Sequence, residues 1–321
     1  MLYPLKFNPI LKEKVWGGQK LHSILNKNVK YDKTGESWEL SSLPENISIV
    51  SDGKFKGVSL NELITKYKEQ LLGKKIYDKY GKKFPLLIKF IDAADDLSIQ
   101  VHPDNETAQK LYGENGKNEL WYILDSDEDA ELILGVKNNL NSEKFRKAVY
   151  ENTIIEKLNT FNVKRGDVFY IPAGRIHAIK KGVLLAEIQQ PSDITYRIYD
   201  WNRKGLNGKF RDLHIKEACE VAELSVSKTY YSDYPDKINE FVSCEKNSFF
   251  TVNILKCNKK IKKEYRDDRF KVFLCTKGNF KLQYSGGERE IHYGETVLLP
   301  AVLKNISFIP DGECEILEVF V

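Results

Sequence analysis

Three short segments carry the side chains best suited to chemistry: Ser98-Ile99-Gln100-Val101-His102-Pro103-Asp104, Lys117-Asn118-Glu119-Leu120-Trp121 and Pro172-Ala173-Gly174-Arg175-Ile176-His177. Together they offer two imidazoles, one carboxylate and one carboxamide on or beside segments that read as strands. Residues two apart on a strand point to the same face, so Gln100 and His102 can approach one ion side by side. Glu119 and His177 complete a set of nitrogen and oxygen donors that suits a divalent ion such as zinc. Structural zinc sites are usually closed and rich in cysteine, whereas no cysteine precedes Cys219 here. With one carboxylate as the only charged donor, a dication keeps net positive charge and acts as a Lewis acid. These residues predict a catalytic metal site in a small β-barrel. A lone His in a strand is more often a core or surface residue than a ligand. The combination carries the weight, because two of only five histidines fall in such contexts.

The elements around these segments must build a sizeable core. The 321 residues, 41% hydrophobic and 12% aromatic, suffice for one large or two ordinary domains. The balance of 50 basic against 46 acidic side chains leaves +4. That is too mild for a nucleic-acid partner and compatible with a small anionic substrate. The run Lys259-Lys260-Ile261-Lys262-Lys263 reads as solvated loop or edge-strand charge. Five cysteines at 219, 244, 257, 275 and 314 lack any Cys-x-x-Cys spacing, the pattern of reduced thiols in a cytosolic protein. The amino terminus is broken by Pro4, Lys6 and Pro9, so neither a signal peptide nor a membrane anchor is expected. The expected location is cytoplasmic, and no motif sets an oligomeric state.

Short strands punctuated by Gly, Asn, Asp and Pro dominate the chain and predict a sandwich or barrel. Ser59-Leu60-Asn61-Glu62 has the capping-box pattern, with Leu63, Ile64, Tyr67 and Leu71 following at helical spacing. Asp212 is positioned to cap a helix carrying Leu213, Ile215, Ala218, Cys219 and Ala222. A shorter helix is expected from Ser142 through Phe145 and Ala148. An internal echo links Gly166-Asp167-Val168-Phe169-Tyr170-Ile171-Pro172-Ala173 to Gly294-Glu295-Thr296-Val297-Leu298-Leu299-Pro300-Ala301. It predicts two related β-barrels joined near residues 225–240, a catalytic unit over 1–225 and a second over 226–321. Continuing the alignment without gaps places Asn305 where His177 stands, and His292 is isolated. The second barrel is therefore expected to bind no metal.

Further motifs complete a pattern: Val15-Trp16-Gly17-Gly18, Gly35-Glu36-Ser37-Trp38-Glu39, Glu187-Ile188-Gln189-Gln190 and Asp193-Ile194-Thr195-Tyr196-Arg197-Ile198-Tyr199-Asp200-Trp201. With the three segments above, in this order, the chain resembles the type I mannose-6-phosphate isomerases, in the short bacterial form of this cupin family. The motifs span roughly residues 15–205, and room for the large helical insertion of longer members is lacking. The resemblance implies a mainly β fold of two cupin-like, jelly-roll β-barrels with a few peripheral helices. It also implies zinc-dependent, reversible interconversion of mannose 6-phosphate and fructose 6-phosphate, with one zinc per chain in the first barrel. Gln100, His102, Glu119 and His177 become the metal ligands, and Arg197 falls on the active-site arginine. Ser98, Lys117, Lys89 and Glu187 fall on positions of the substrate pocket, and Trp16 on an aromatic wall.

The chemistry agrees with those assignments. Aldose–ketose isomerisation moves a proton between adjacent carbons through an enediol or enediolate, aided by an acid–base group and by a cation that stabilises oxygen charge. An ammonium beside a dication gives up its proton more readily, which makes Lys117 a base or relay. A guanidinium stays protonated, so Arg197 is assigned to oxyanion stabilisation or phosphate clamping. Ordinary roles compete at each position: Lys89 and Lys117 as solvated lysines, Arg197 as the partner of Asp193 or Asp200, Glu187 as a support for a ligand, Trp121 as core. Two other functions use related residues, a non-haem iron oxygenase built on two His and a carboxylate, and a sugar-binding module without turnover.

Overall fold

The computed structural model describes all of residues 1–321. In the amino-terminal part the strands are β1 (Ile10–Gly18), β2 (Thr34–Leu40), β3 (Ser42–Leu43), β4 (Asn46–Ile47), β5 (Leu87–Ala93), β6 (Ile99–Val101) and β7 (Glu119–Ser126). They continue with β8 (Glu131–Val136), β9 (Leu158–Asn162), β10 (Val168–Ile171), β11 (His177–Ile179), β12 (Val183–Gln189) and β13 (Tyr196–Tyr199). Two antiparallel sheets result, one in the order β1-β2-β5-β12-β7-β10 and one in the order β13-β6-β11-β8-β9. Side-chain alternation decides what lies between them. Trp121, Ile123, Ile91 and Leu185 of the first sheet meet Leu132, Leu134 and Ile179 of the second in one apolar cluster.

The opposite faces are covered as well. Ile99, Val101, Ala178, Tyr196 and Ile198 pack outward against Phe145, Ala148 and Ala218 of two helices. Gln100, His177 and Arg197, which alternate with those residues, therefore turn toward the other sheet. Leu120, Tyr122, Ile88, Phe90 and Ala186 point away from the site into the largest cluster, which also takes in Val252, Val272, Leu298 and Leu317. This second layer explains why β5 and β12 are buried along their whole length.

The carboxy-terminal part forms a seven-stranded sheet from β14 (Phe241–Lys246), β15 (Thr251–Cys257), β16 (Ile261–Glu264), β17 (Lys271–Tyr284), β18 (Gly287–Ile291), β19 (Thr296–Leu299) and β20 (Asn305–Phe320). Register shifts at Cys275–Lys277 and Lys277–Asn279 bend the long β17, and the sheet encloses an apolar cluster of its own that includes Phe273, Phe280 and Phe308. The lysine run lies largely exposed on and before β16. No helix is long and apolar enough to cross a membrane.

The sequence echo is also an echo in hydrogen bonding. Gly166 donates to the Ile123 carbonyl at 2.9 Å and Ile123 to Asp167 at 3.0 Å; Gly294 donates to Cys275 at 2.9 Å and Cys275 to Glu295 at 3.0 Å. Both glycines sit at positive φ, 89° and 80°, where a side chain would be strained. In this alignment Glu119, opposite Ile171, corresponds to Lys271, opposite Leu299. The Lys271 ammonium lies 3.7 Å from the centre of the Phe320 ring and 2.5 Å from Asp267 Oδ2. A buried cation thus stands where the first unit has its carboxylate.

The capping box at Ser59 forms, but the helix Leu60–Tyr67 stops at Lys68, whose φ is 44°, and Leu71 belongs to the next short helix. Asn141 caps Ser142–Tyr150 through its bond from Lys144 N at 2.8 Å. Asp212 does not cap the later helix, which runs Ile215–Val221 after His214. The Asp212 carbonyl instead accepts from Arg197 Nη1 at 2.9 Å.

Candidate active site

The two sheets bring four side chains to one place. His177 opens β11 directly opposite Gln100 of β6, and Arg197 of β13 stands opposite Gln100 on its other side. His102 follows the end of β6, and Glu119 opens β7 in the facing sheet. His177 Nδ1 lies 2.8 Å from the Arg175 carbonyl, and His102 Nδ1 lies 2.8 Å from the Ile194 carbonyl. A carbonyl can only accept, so both Nδ1 atoms carry the proton and both Nε2 atoms present a lone pair. Glu119 Oε1 is 3.3 Å from His102 Nε2, and Oε2 is 3.7 Å from His177 Nε2.

All three groups are about 1% exposed. His102 Nε2 and both Glu119 oxygens have no hydrogen-bond partner, a costly state for buried polar atoms. Their donor atoms lie within 4.8 Å of one another. The orphaned, mutually facing donors fit a cation of the kind bound by imidazole nitrogen and carboxylate oxygen. The carbonyls behind each imidazole are the usual orienting partners of a metal-ligating histidine.

Electrostatics prepares the donors. Burial, with help from the Lys117 ammonium, pulls His102 down to about 3, and burial also lowers His177. Burial by itself would raise Glu119; the neighbouring Lys117 ammonium foremost reverses this and holds it well below the usual carboxylate range. At neutral pH both imidazoles are neutral and the carboxylate is charged, the protonation state that a metal requires.

The remaining residues form two groups. The Gln100 carboxamide directs its nitrogen to His177 Nε2 and its oxygen to Ser98 Oγ, each at 3.3 Å; a half-turn of the amide exchanges the two. Lys117 Nζ lies 3.0 Å from Glu119 Oε1, within ion-pair reach but without hydrogen-bond alignment. Deeper on the same face runs a row Trp38–Lys89–Glu187–Trp121 across four strands. Lys89 Nζ is 3.1 Å from Glu187 Oε1 and lies over the Trp38 ring. Burial, then the charge of Glu119, raises the Glu187 carboxyl. Burial opposes the Lys89 ammonium, but Glu187 and Glu36 raise it. Trp16 is buried in the intersheet cluster that contains Trp121.

Several contributors were invisible at the level of motif roles. Trp121 is indeed buried, yet it also donates Nε1–H to Glu187 at 3.1 Å and sets its edge against the His177 ring, 5.3 Å between centres. Behind Lys117 and Glu119 lies an amide chain. Asn105 Oδ1 accepts from Gln190 at 3.0 Å, Gln190 Oε1 accepts from the Asn118 side chain at 2.7 Å, and Asn118 Oδ1 accepts from Tyr170 and Ala173 at 3.0 Å. Asn118 and Gln190 both stand in the quoted motifs, and their shared amide chemistry was the available signal.

A family model for the phosphomannose isomerase type I catalytic domain matches residues 4–148. The mannose-6-phosphate isomerase of Streptococcus mutans is 34% identical over 321 residues, with 99% of this chain and 98% of the relative covered. The chain belongs to the type I phosphomannose isomerase family. Bacillus subtilis mannose-6-phosphate isomerase ManA is 39% identical over 241 residues, covering 75% of this chain and 74% of the relative. The crystal structure of the mannose 6-phosphate isomerase from Bacillus subtilis matches with a TM-score of 0.91 at 30% identity over the whole of both chains. As a member of this isomerase family the chain is an aldose–ketose isomerase, and the mainly β fold with few helices is the family's.

Proposed function

We propose that the enzyme interconverts mannose 6-phosphate and fructose 6-phosphate with one zinc ion held by His102, His177, Glu119 and, more weakly, Gln100. The observation that carries this reading is the convergence of two unprotonated Nε2 atoms on an orphaned, buried carboxylate. When bound, zinc supplies Lewis-acid stabilisation of charge on the sugar oxygens. Lys117, beside Glu119, is assigned as the base or relay that moves the proton between C2 and C1 through an enediol or enediolate. Arg197 holds a fixed positive fork on the Gln100 face, where it stabilises oxyanion or phosphate charge. Ser98 orients Gln100 and the near end of the sugar. Lys89 and Glu187 pair with each other, so they shape the pocket and hold Trp121; Trp16 backs the same wall.

Residues 1–225 are read as the catalytic cupin-like barrel and 226–321 as its degenerate relative, supported by the paired turns at Gly166 and Gly294. The five free thiols favour a reducing, cytoplasmic setting. The test is isomerisation of mannose 6-phosphate by chelator-stripped enzyme before and after zinc is restored. Activity should be lost and then regained; full activity in metal-free enzyme would overturn the reading.

A further inference from the structure

Away from the metal centre, Cys257 of β15 and Cys314 of β20 are direct partners in an antiparallel ladder. Their sulfur atoms lie 3.3 Å apart. Both residues, buried in the apolar cluster of this sheet, border a cavity of about 310 Å³ whose wall carries Arg165, Lys256 and Lys277 together with Asp236, Glu313 and Glu315. The other buried cysteines differ. Cys244 donates to the Val252 carbonyl at 3.2 Å, and Cys275 to Gly278 at 3.2 Å. Burial pushes each of these thiols up to about 12, which keeps them inert.

We infer that Cys257 and Cys314 form a redox-modification site, closed to a disulfide by a hydroperoxide that enters the cavity. Three observations support it: the cross-strand register, the sulfur–sulfur contact and the adjoining cavity that both residues border. The sulfurs have only to approach from 3.3 Å to about 2 Å by side-chain rotation and a small strand movement. Either sulfur can donate the hydrogen bond between them; with Cys314 as donor, that bond holds the Cys257 thiol below its ordinary range and raises Cys314. In that arrangement Cys257 is the attacking sulfur and Cys314 the resolving one.

The chemistry balances in two steps. The Cys257 thiolate attacks one oxygen of hydrogen peroxide, the O–O bond breaks, and sulfenic acid and hydroxide form. The hydroxide takes the Cys314 proton and becomes water. The Cys314 thiolate then attacks the Cys257 sulfur, the S–O bond breaks, and the departing hydroxide is protonated to water. Two thiols are oxidised and one peroxide is reduced.

The test treats the reduced full-length enzyme with hydrogen peroxide, counts thiols after denaturation and maps peptides without reduction. Five thiols should fall to three, with a Cys257–Cys314 crosslink that dithiothreitol reverses. Cys314→Ser should trap Cys257 as a sulfenic acid that dimedone labels, Cys257→Ser should give neither product, and Cys275→Ser should behave as the parent. Five retained thiols, a crosslink through Cys275, or oxidation confined to Cys219 would each overturn the assignment.

Discussion

Arg197 stands directly across from Gln100 in the β6–β13 ladder. Side chains directly opposite in an antiparallel pair share a face, so the guanidinium and the carboxamide belong to one row, and His177 extends it on β11. The row is available because Tyr196 and Ile198 point the other way into the helix-covered cluster. A charged residue is thereby brought into the row that holds Gln100 and His177.

Arg197→Lys keeps a positive charge but loses the planar fork that meets the Asp212 carbonyl. Fold and metal content should be retained, while turnover falls on the order of a hundredfold or more, the scale of losing one preorganised donor. Steady-state kinetics with metal analysis decides it. Parent kcat and KM would make Arg197 scaffold.

Metal stoichiometry tests the ligand set and the second unit together. The intact chain should hold one zinc, and His102→Ala/His177→Ala should hold none, because the second unit carries Lys271 and Asn305 in the corresponding positions. Elemental analysis after dialysis reads both. Stoichiometric zinc in the double variant would place the site elsewhere.

The protonation state gives a prediction independent of activity. With both imidazoles neutral and Glu119 ionised before metal arrives, zinc binding at pH 7 should release close to no protons. Calorimetry in buffers of different ionisation enthalpy measures this; release of two or more protons per zinc would mean that the imidazoles are not held neutral.

Acid should destabilise the metal-free protein. His102 is lowered from 6.5 to about 3, so between these values the unfolded chain binds the proton and the native one does not. Stability therefore falls as pH drops from 6.5 toward 3. The lowered His177 acts in the same sense, and Glu119 adds a loss as pH falls below 4.5. The raised Glu187 carboxyl opposes this, because its contribution declines as pH rises above 4.5. Denaturant midpoints of apoenzyme should be lower at pH 4.5 than at pH 7; equal midpoints would mean that the imidazoles are not held neutral.

Gln190→Leu removes the centre of the amide chain behind Lys117 and Glu119, leaving the Asn118 N–H groups without their partner, while the exposed Asn105 Oδ1 keeps its bond from Gly116 N. Each buried orphan costs about 1–3 kcal/mol. Stability should drop by that order, and kcat should fall more than KM changes, with zinc retained. Unchanged kcat in a destabilised variant would confine the chain to a structural role.

What was legible in the sequence was short-range. Gln100-x-His102, the Ser59 capping box and the twin Gly-acid turns are patterns within a few residues, where backbone geometry follows directly from residue type. The donor types already suited an ion of the kind bound by nitrogen and oxygen. Tertiary structure decided the rest, since register between distant strands is set by which faces are buried. Only the fold brings Glu119 from the facing sheet to His102 and His177, and gives their Nδ1 protons to the Ile194 and Arg175 carbonyls. It also joins Lys89 to Glu187 and turns Trp121 from simple core into a contact of His177. The Asp212 cap failed for the same reason. Its local pattern was sound, but the His214 N–H is tied to the Arg197 carbonyl of the strand and the helix begins only after it.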